Sequence, residues 1–252
     1  KPALTVSTVQ PQATRLPIKL AANGNITAWQ EASVGAEANG LRLTEVRVNV
    51  GDRVKKGDVL ATFAAETLRA EAAQGKASLM EAEANAAEAA GNAERARSLQ
   101  ATGALSASQI NQYLTAEQTA KARVEAARAL YQAQQVRLNQ TSVLAPDDGV
   151  ISARAATVGA VVGAGTELFR MIRKGRLEWR AEVTSAELGR ITAGTTAMVT
   201  AASGARLEGR VRMVAPTVDP QTRNALVYVD VTPLPGNAGA AKAGMFARGE
   251  FD

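Results

Sequence analysis

Neither cysteine nor histidine occurs in the 252 residues. Without Cys there are no disulfides, thiolate nucleophiles, Cys-ligated zinc sites or iron–sulfur clusters. Without His the chain loses the commonest metal ligand and the usual general base near neutral pH, so a Ser–His–Asp hydrolase is impossible. Aromatics make up only 4%, too few for a large aromatic-rich core. No run of 18 apolar residues occurs that would span a membrane as a helix. Charge of one sign is scarce too: 29 Lys+Arg stand against 24 Asp+Glu, a net +5, which does not favour a dedicated nucleic-acid binder. No signal peptide opens the chain at Lys1, and it reads as a processed or trimmed piece, which leaves room for an anchor that the sequence does not show.

Hydrophobic residues amount to 46%, enough for a folded protein, with alanine replacing aromatics. Composition changes along the chain. Residues 1–64 are rich in Val and Thr and punctuated by Gly, which reads as β. Residues 65–140 contain no Pro and consist mostly of Ala, Glu, Gln, Arg and Leu, strong helix formers. From Thr141 the β character returns.

The helical segment divides in two. Leu68, Ala72, Gly75, Leu79, Ala82, Ala86, Ala89, Ala93 and Ala96 recur by fours and threes, as do Ile110, Tyr113, Glu117, Ala120, Val124, Ala127, Tyr131, Gln134 and Leu138. This is a heptad pattern. Between the runs, Gly103 suits the C′ position of a helix end, and Ser106 with Gln109 fits a capping box. So short a turn predicts antiparallel neighbours, each about 50 Å long. An Ala-rich seam buries little area per residue, so the hairpin is expected to need help from neighbouring protomers.

The flanks of the hairpin repeat each other. Residues 50–60 and 158–168 both read V-G-x-x-V-x-x-G-x-x-L, at an offset of 108. Each half has about 35 residues, too few to fold alone. Two such halves predict a small β-sandwich with the hairpin inserted between them. Gly51, Gly57, Gly159 and Gly165 fit no phosphate-loop spacing and read as tight turns with positive φ. Beyond Arg176, strands are expected at Leu177–Val183, Ala197–Thr200, Gly209–Val214, Ala225–Val231 and Met245–Phe251. A short helix is expected at Ser185–Ile191, and Leu16–Trp29 is a partner strand. Such spacing predicts a small barrel. Trp29 and Trp179 read as its core anchors.

Together these features resemble the periplasmic adaptor subunits of bacterial efflux pumps, the HlyD-type membrane fusion proteins. The repeat resembles the halves of a split lipoyl (biotinyl-carrier-like) domain, with Ala145-Pro146-Asp147-Asp148-Gly149 as the lead-in to the second half. Residues 209–219, Thr222-Arg223 and Gly244-Met245-Phe246 resemble the family's barrel. Arg95, Leu99 and Ser106 follow R-x3-L-x6-S, which resembles the motif that engages a TolC-type outer-membrane channel. A structural reading makes Ser106 a helix cap and Leu99 a last-turn core residue.

The resemblance implies a fold that is mainly β, elongated and modular, with a coiled-coil hairpin, a lipoyl-like sandwich and a β-barrel. Residues 1–15 would give one strand of a membrane-proximal domain that is otherwise absent or incomplete. Residues 16–30 and 176–252 would form the barrel, 31–64 and 141–175 the lipoyl-like domain, and 65–140 the hairpin. It further implies a non-enzymatic adaptor without cofactor, metal or nucleic acid. This adaptor is anchored to the inner membrane in the periplasm, in a ring of six protomers. It would join an RND transporter to the outer-membrane channel and export drugs or other small molecules. An ABC-transporter adaptor is the alternative within the family. A biotin or lipoyl carrier is the alternative outside it, but no Lys lies at the hairpin roots, and Lys55 and Lys56 read as solvated. A purely structural coiled coil leaves the repeat unexplained. Met80, Met171, Met198, Met213 and Met245 are scattered, and without His they argue against a metal-handling adaptor.

Overall fold

The structure is a computed structural model describing residues 9–10 and 18–252. The strand expected within residues 1–15 falls, apart from Val9 and Gln10, outside the described residues. In chain order the elements are β1 (Leu20–Ala28), β2 (Glu31–Gly35), β3 (Leu41–Val46), β4 (Arg53–Val54), β5 (Val59–Phe63), α1 (Glu66–Gln100), α2 (Ala107–Asn139), β6 (Ser142–Leu144), β7 (Gly149–Arg154), β8 (Val161–Val162) and β9 (Glu167–Arg173). They continue as β10 (Leu177–Thr184), a 3-10 turn at Leu188–Arg190, β11 (Thr196–Ala201), β12 (Arg206–Val218), β13 (Asn224–Pro233) and β14 (Phe246–Phe251). The helix expected at Ser185–Ile191 is only that 3-10 turn. The chain divides into two compact units, Ala32–Lys174 and the remainder.

The first unit holds two four-stranded sheets, β2-β9-β7-β4 and β6-β5-β3-β8. In each, two adjacent central strands come from one half of the repeat and the two edge strands from the other. Shifting by 108 residues turns β3 into β7 and β4 into β8, and the register follows: Arg53 pairs with Val150 as Val161 pairs with Arg42. The turns obey the same exchange. Gly51 N–H donates to Ile151 O at 2.9 Å, and Gly159 N–H to Leu43 O at 2.8 Å. Both glycines have positive φ, +96° and +90°, where a Cβ would be strained. Leu43, Leu60 and Phe63 meet Ile151, Leu168, Phe169 and Met171 in one core between the sheets. Neither half owns a complete sheet, so neither has a core of its own.

The second unit is a closed six-stranded barrel in the order β1-β10-β13-β12-β11-β14. Its strands alternate as a half-buried sheet must: Trp179, Ala181 and Val183 point inward on β10, and Val227, Val229 and Val231 on β13. One indole fills much of the interior. Trp179 is fully buried and stacks on Phe251 with centroids 5.5 Å apart. Trp29, by contrast, is only half-buried, with the Arg176 guanidinium 4.3 Å over its ring. The expectation that both tryptophans are core anchors holds for Trp179 alone. On the outer surface Glu178 is buried between Arg180 Nε at 2.8 Å and Arg212 Nη2 at 2.5 Å. Arg212 reaches it across β13 and so ties three strands together.

Two outcomes follow. A Cβ on Gly249 would lie 2.5 Å from the Trp179 ring, so Gly249→Ala overpacks the barrel and costs about 1–3 kcal/mol. Denaturant melting followed by Trp fluorescence checks this. Replacing residues 69–137 by a short Gly-rich linker leaves the sandwich folded, because its halves pair with each other. A shortened chain with a random-coil dichroism spectrum contradicts this.

Candidate functional site

The hairpin end holds the residues singled out in the sequence. The helices run antiparallel: Arg97 Nη2 meets Glu117 at 2.6 Å and Arg128 Nη2 meets Glu83 at 3.4 Å, while Gly75 packs on the Gln134 side chain. As the α1 number falls, the α2 number rises. Nearly every expected seam position is buried or half-buried, but Tyr113 is 41% exposed. Ile110, one turn nearer the hairpin end, is buried, so the exposure is particular to Tyr113.

The turn is closed by local hydrogen bonds. Ser106 Oγ accepts from Gln109 N–H at 3.2 Å, and Gln109 Oε1 accepts from Ser106 N–H at 3.1 Å, a complete capping box. At the other end Ala101 is the C-cap, which puts Gly103 one residue beyond its expected C′ place, still at φ +68°. Thr102 donates through N–H and Oγ1 to Leu99 O at 3.2 and 2.8 Å.

Arg95, Leu99 and Ser106 are all exposed. Among the described residues the Arg95 guanidinium donates only to Asn92 Oδ1 on its own helix. Leu99 is 40% exposed, so the reading of it as a last-turn core residue is wrong. The structure thus gathers a cation, an aliphatic side chain and a capped serine at one helical end. Residues 98–116 contain no Asp, Glu, Lys or Arg, so Arg95 and Arg97 are the cations nearest the turn.

Sequence reasoning put Glu117 in the seam without its consequence. A carboxylate there requires a cation, and Arg97 and Lys121 supply two, at 2.6 and 2.9 Å. The Lys121 hydrogen bond, then that of Arg97, holds the Glu117 carboxyl below its ordinary range. The signal was legible: one acid among apolar heptad positions. Glu81, Glu83, Glu88 and Glu94 are exposed as expected. Lys55 and Lys56 are exposed on a turn of the sandwich, and no Lys sits at the hairpin roots.

A carboxylate with a lowered folded value stabilises the fold above its unfolded pKa, about 4.3, and loses that contribution as pH falls through the folded value. Glu117→Gln therefore melts below the parent at pH 7, and the two curves converge once the pH has fallen below the lowered folded value of Glu117. Asp147, held low by Arg173, and Glu167, held low by Ser33, are shared by both proteins and cancel. Helical dichroism against temperature at several pH values checks this; a gap that persists at low pH contradicts it.

Comparison with known proteins adds findings of three kinds. A family model described as the CusB-like β-barrel domain matches residues 179–252. The nickel-cobalt-cadmium resistance protein NccB of Alcaligenes xylosoxydans xylosoxydans is 36% identical over 211 residues, covering 83% of this chain and 51% of its own. The nickel and cobalt resistance protein CnrB of Cupriavidus metallidurans is 36% identical over 203 residues, covering 79% and 50%. The chain spans about half the length of these curated relatives. Among solved structures, the membrane fusion protein Spr0693 of Streptococcus pneumoniae R6 superposes with a TM-score of 0.71 at 19% identity, over 94% of this chain and 99% of that one. ZneB of Cupriavidus metallidurans gives 0.57 at 22% identity, over 92% and 97%. At these identities the structural likeness is one of fold.

Proposed function

We propose that the chain is a membrane fusion protein of the periplasmic adaptor kind, as its CusB-like β-barrel domain and its similarity to NccB and CnrB support, and that it is a non-enzymatic bridge between an inner-membrane RND transporter and a TolC-like outer-membrane channel. The observation that carries the reading is the hairpin end. Two helices of 35 and 33 residues close on a capped turn with Arg95 and Leu99 uncovered. A rigid polar end with one forked donor suits docking onto the carbonyl-rich ends of partner helices, where a guanidinium bonds in a way Lys reproduces poorly. In this reading residues 1–15, together with parts of the protein outside this chain, connect it to the inner membrane. Six copies surround the export path.

The two relatives named for nickel and cobalt resistance favour divalent metal cations as the exported class, ahead of the drugs that the resemblance alone implied. The missing His and Cys speak for bridging rather than for holding the metal. An ABC transporter in place of the RND partner is the second reading; the hairpin length and tip spacing favour RND.

The test is Arg95→Asp in the full-length protein, in cells challenged with nickel, cobalt and a drug panel. Docking weakens by more than about tenfold, and resistance falls to that of the deletion strain. The purified variant keeps its stability within about 0.5 kcal/mol. Ser106→Ala removes a cap worth about 1 kcal/mol and so mixes folding with docking. Normal resistance at normal protein level removes Arg95 from the site. Sensitivity of the deletion strain to drugs alone overturns the metal assignment.

A further inference from the structure

The hairpin seam is uniform over much of its length. From Ala82 to Ala96 every expected α1 seam position is Ala, so each level of α1 offers α2 the same small side chain. Apolar burial then does little to select which face of α1 turns toward α2. The roots are fixed by the sheet, where Phe63 N–H donates to Thr141 O at 2.8 Å. The last turns lie about 50 Å from there. The short connection at the far end holds the helices together without setting their rotation.

Glu117 breaks that uniformity. It is 7% exposed, and both of its carboxylate oxygens are taken. Lys121 Nζ, one turn along the same helix, donates to Oε1 at 2.9 Å, and Arg97 Nη2, across the seam, donates to Oε2 at 2.6 Å. Among the described residues Arg97–Glu117 is the one ion pair across the hairpin with a buried member; Arg128 and Glu83 are both exposed. A carboxylate left in the seam without its cations is strongly disfavoured, whereas Ala against Ala tolerates rotation. Arg97 follows Arg95 by two residues, about 200° round the helix. Holding Arg97 against α2 therefore turns Arg95 away from it.

We propose that Glu117 is a positioning residue for the hairpin end: its bond to Arg97 selects one rotation of the last turns of α1 and so aims Arg95 and Leu99 at the partner. A single polar group in an apolar seam fixes alignment in this way at little gain in stability. The surroundings favour alignment over a purely stabilising role. The Arg97 and Lys121 side chains are 45% and 65% exposed, so removing the acid returns both cations to water and strands no charge. An aliphatic side chain at position 117 would continue the heptad and bury more apolar surface than the acid does. The inference rests on the docking reading for the partner, but not for the alignment.

The test separates alignment from stability. Ser98→Cys and Gln118→Cys, both at exposed positions, give this Cys-free chain one nitroxide label on each helix, and electron spin resonance measures their distance distribution. With Glu117 in place the distribution is narrow. Glu117→Leu broadens it yet melts no lower than the parent. Glu117→Gln keeps an acceptor for Arg97 and leaves the distribution narrow, though it melts below the parent. In the full-length protein without labels, Glu117→Leu lowers the aligned fraction to about a fifth, docking weakens about fivefold and resistance drops, whereas Glu117→Gln keeps it. A stabilising role alone gives the opposite order. A narrow distribution in Glu117→Leu, or melting of that variant below Glu117→Gln, overturns the inference. So does full resistance in Glu117→Leu when Arg95→Asp is sensitive. A harmless Arg95→Asp sinks channel docking instead, and the label distances then decide the alignment alone.

Discussion

Reciprocal exchange of strands between the two halves of the repeat is the constraint on which the sandwich and its hairpin depend. Each sheet takes its central strands from one half and its edges from the other. Every edge hydrogen bond is then a bond between segments about a hundred residues apart. The entropic cost of closing so long a loop grows only slowly with length. A 76-residue segment, residues 65–140, can therefore sit between the halves, provided that its ends stay close. An antiparallel hairpin meets that condition by geometry, since its two roots lie side by side. The glycine turns serve the same exchange: Gly51 and Gly159 each bend one half so that its N–H reaches a carbonyl of the other.

The hairpin trades stability for reach. A seam of Ala and Gly lets the helices approach closely but removes little apolar area from water, about 25 cal/mol per Å². Polar cross-links supplement it near the end, where Glu117 draws in Arg97 and Lys121.

The barrel solves the opposite problem. It has few large side chains to fill a closed interior, so one indole occupies the centre and small residues stand around it. Gly249 and Gly209 are small because Trp179 and Val229 take the space a Cβ would need. Outside, the buried Glu178 is tolerable only because two guanidiniums neutralise it.

Periodicity is a local property, so the chain itself announced what repeats locally: the heptads of Leu68–Ala96 and Ile110–Leu138, the alternation of Leu177–Val183, the capping box of Ser106 and Gln109, and the doubled V-G-x-x-V-x-x-G-x-x-L. The mainly β fold with its helical hairpin was legible from these. What a residue touches across the fold was not. Leu99 and Tyr113 occupy heptad-like places yet are exposed, while Ile110 beside the turn is buried. Trp29 looks like Trp179 in sequence, yet it sits half-buried under Arg176 while Trp179 fills the barrel. Glu117 was legible as an acid in a seam, but its partner Arg97 lies twenty residues away, across the turn. The sequence by itself determined which segments are helix, strand and turn, because backbone propensity and side-chain spacing act over a few residues. Only the tertiary structure decided which side chains are covered, because burial and charge pairing depend on what the other strand or helix brings alongside.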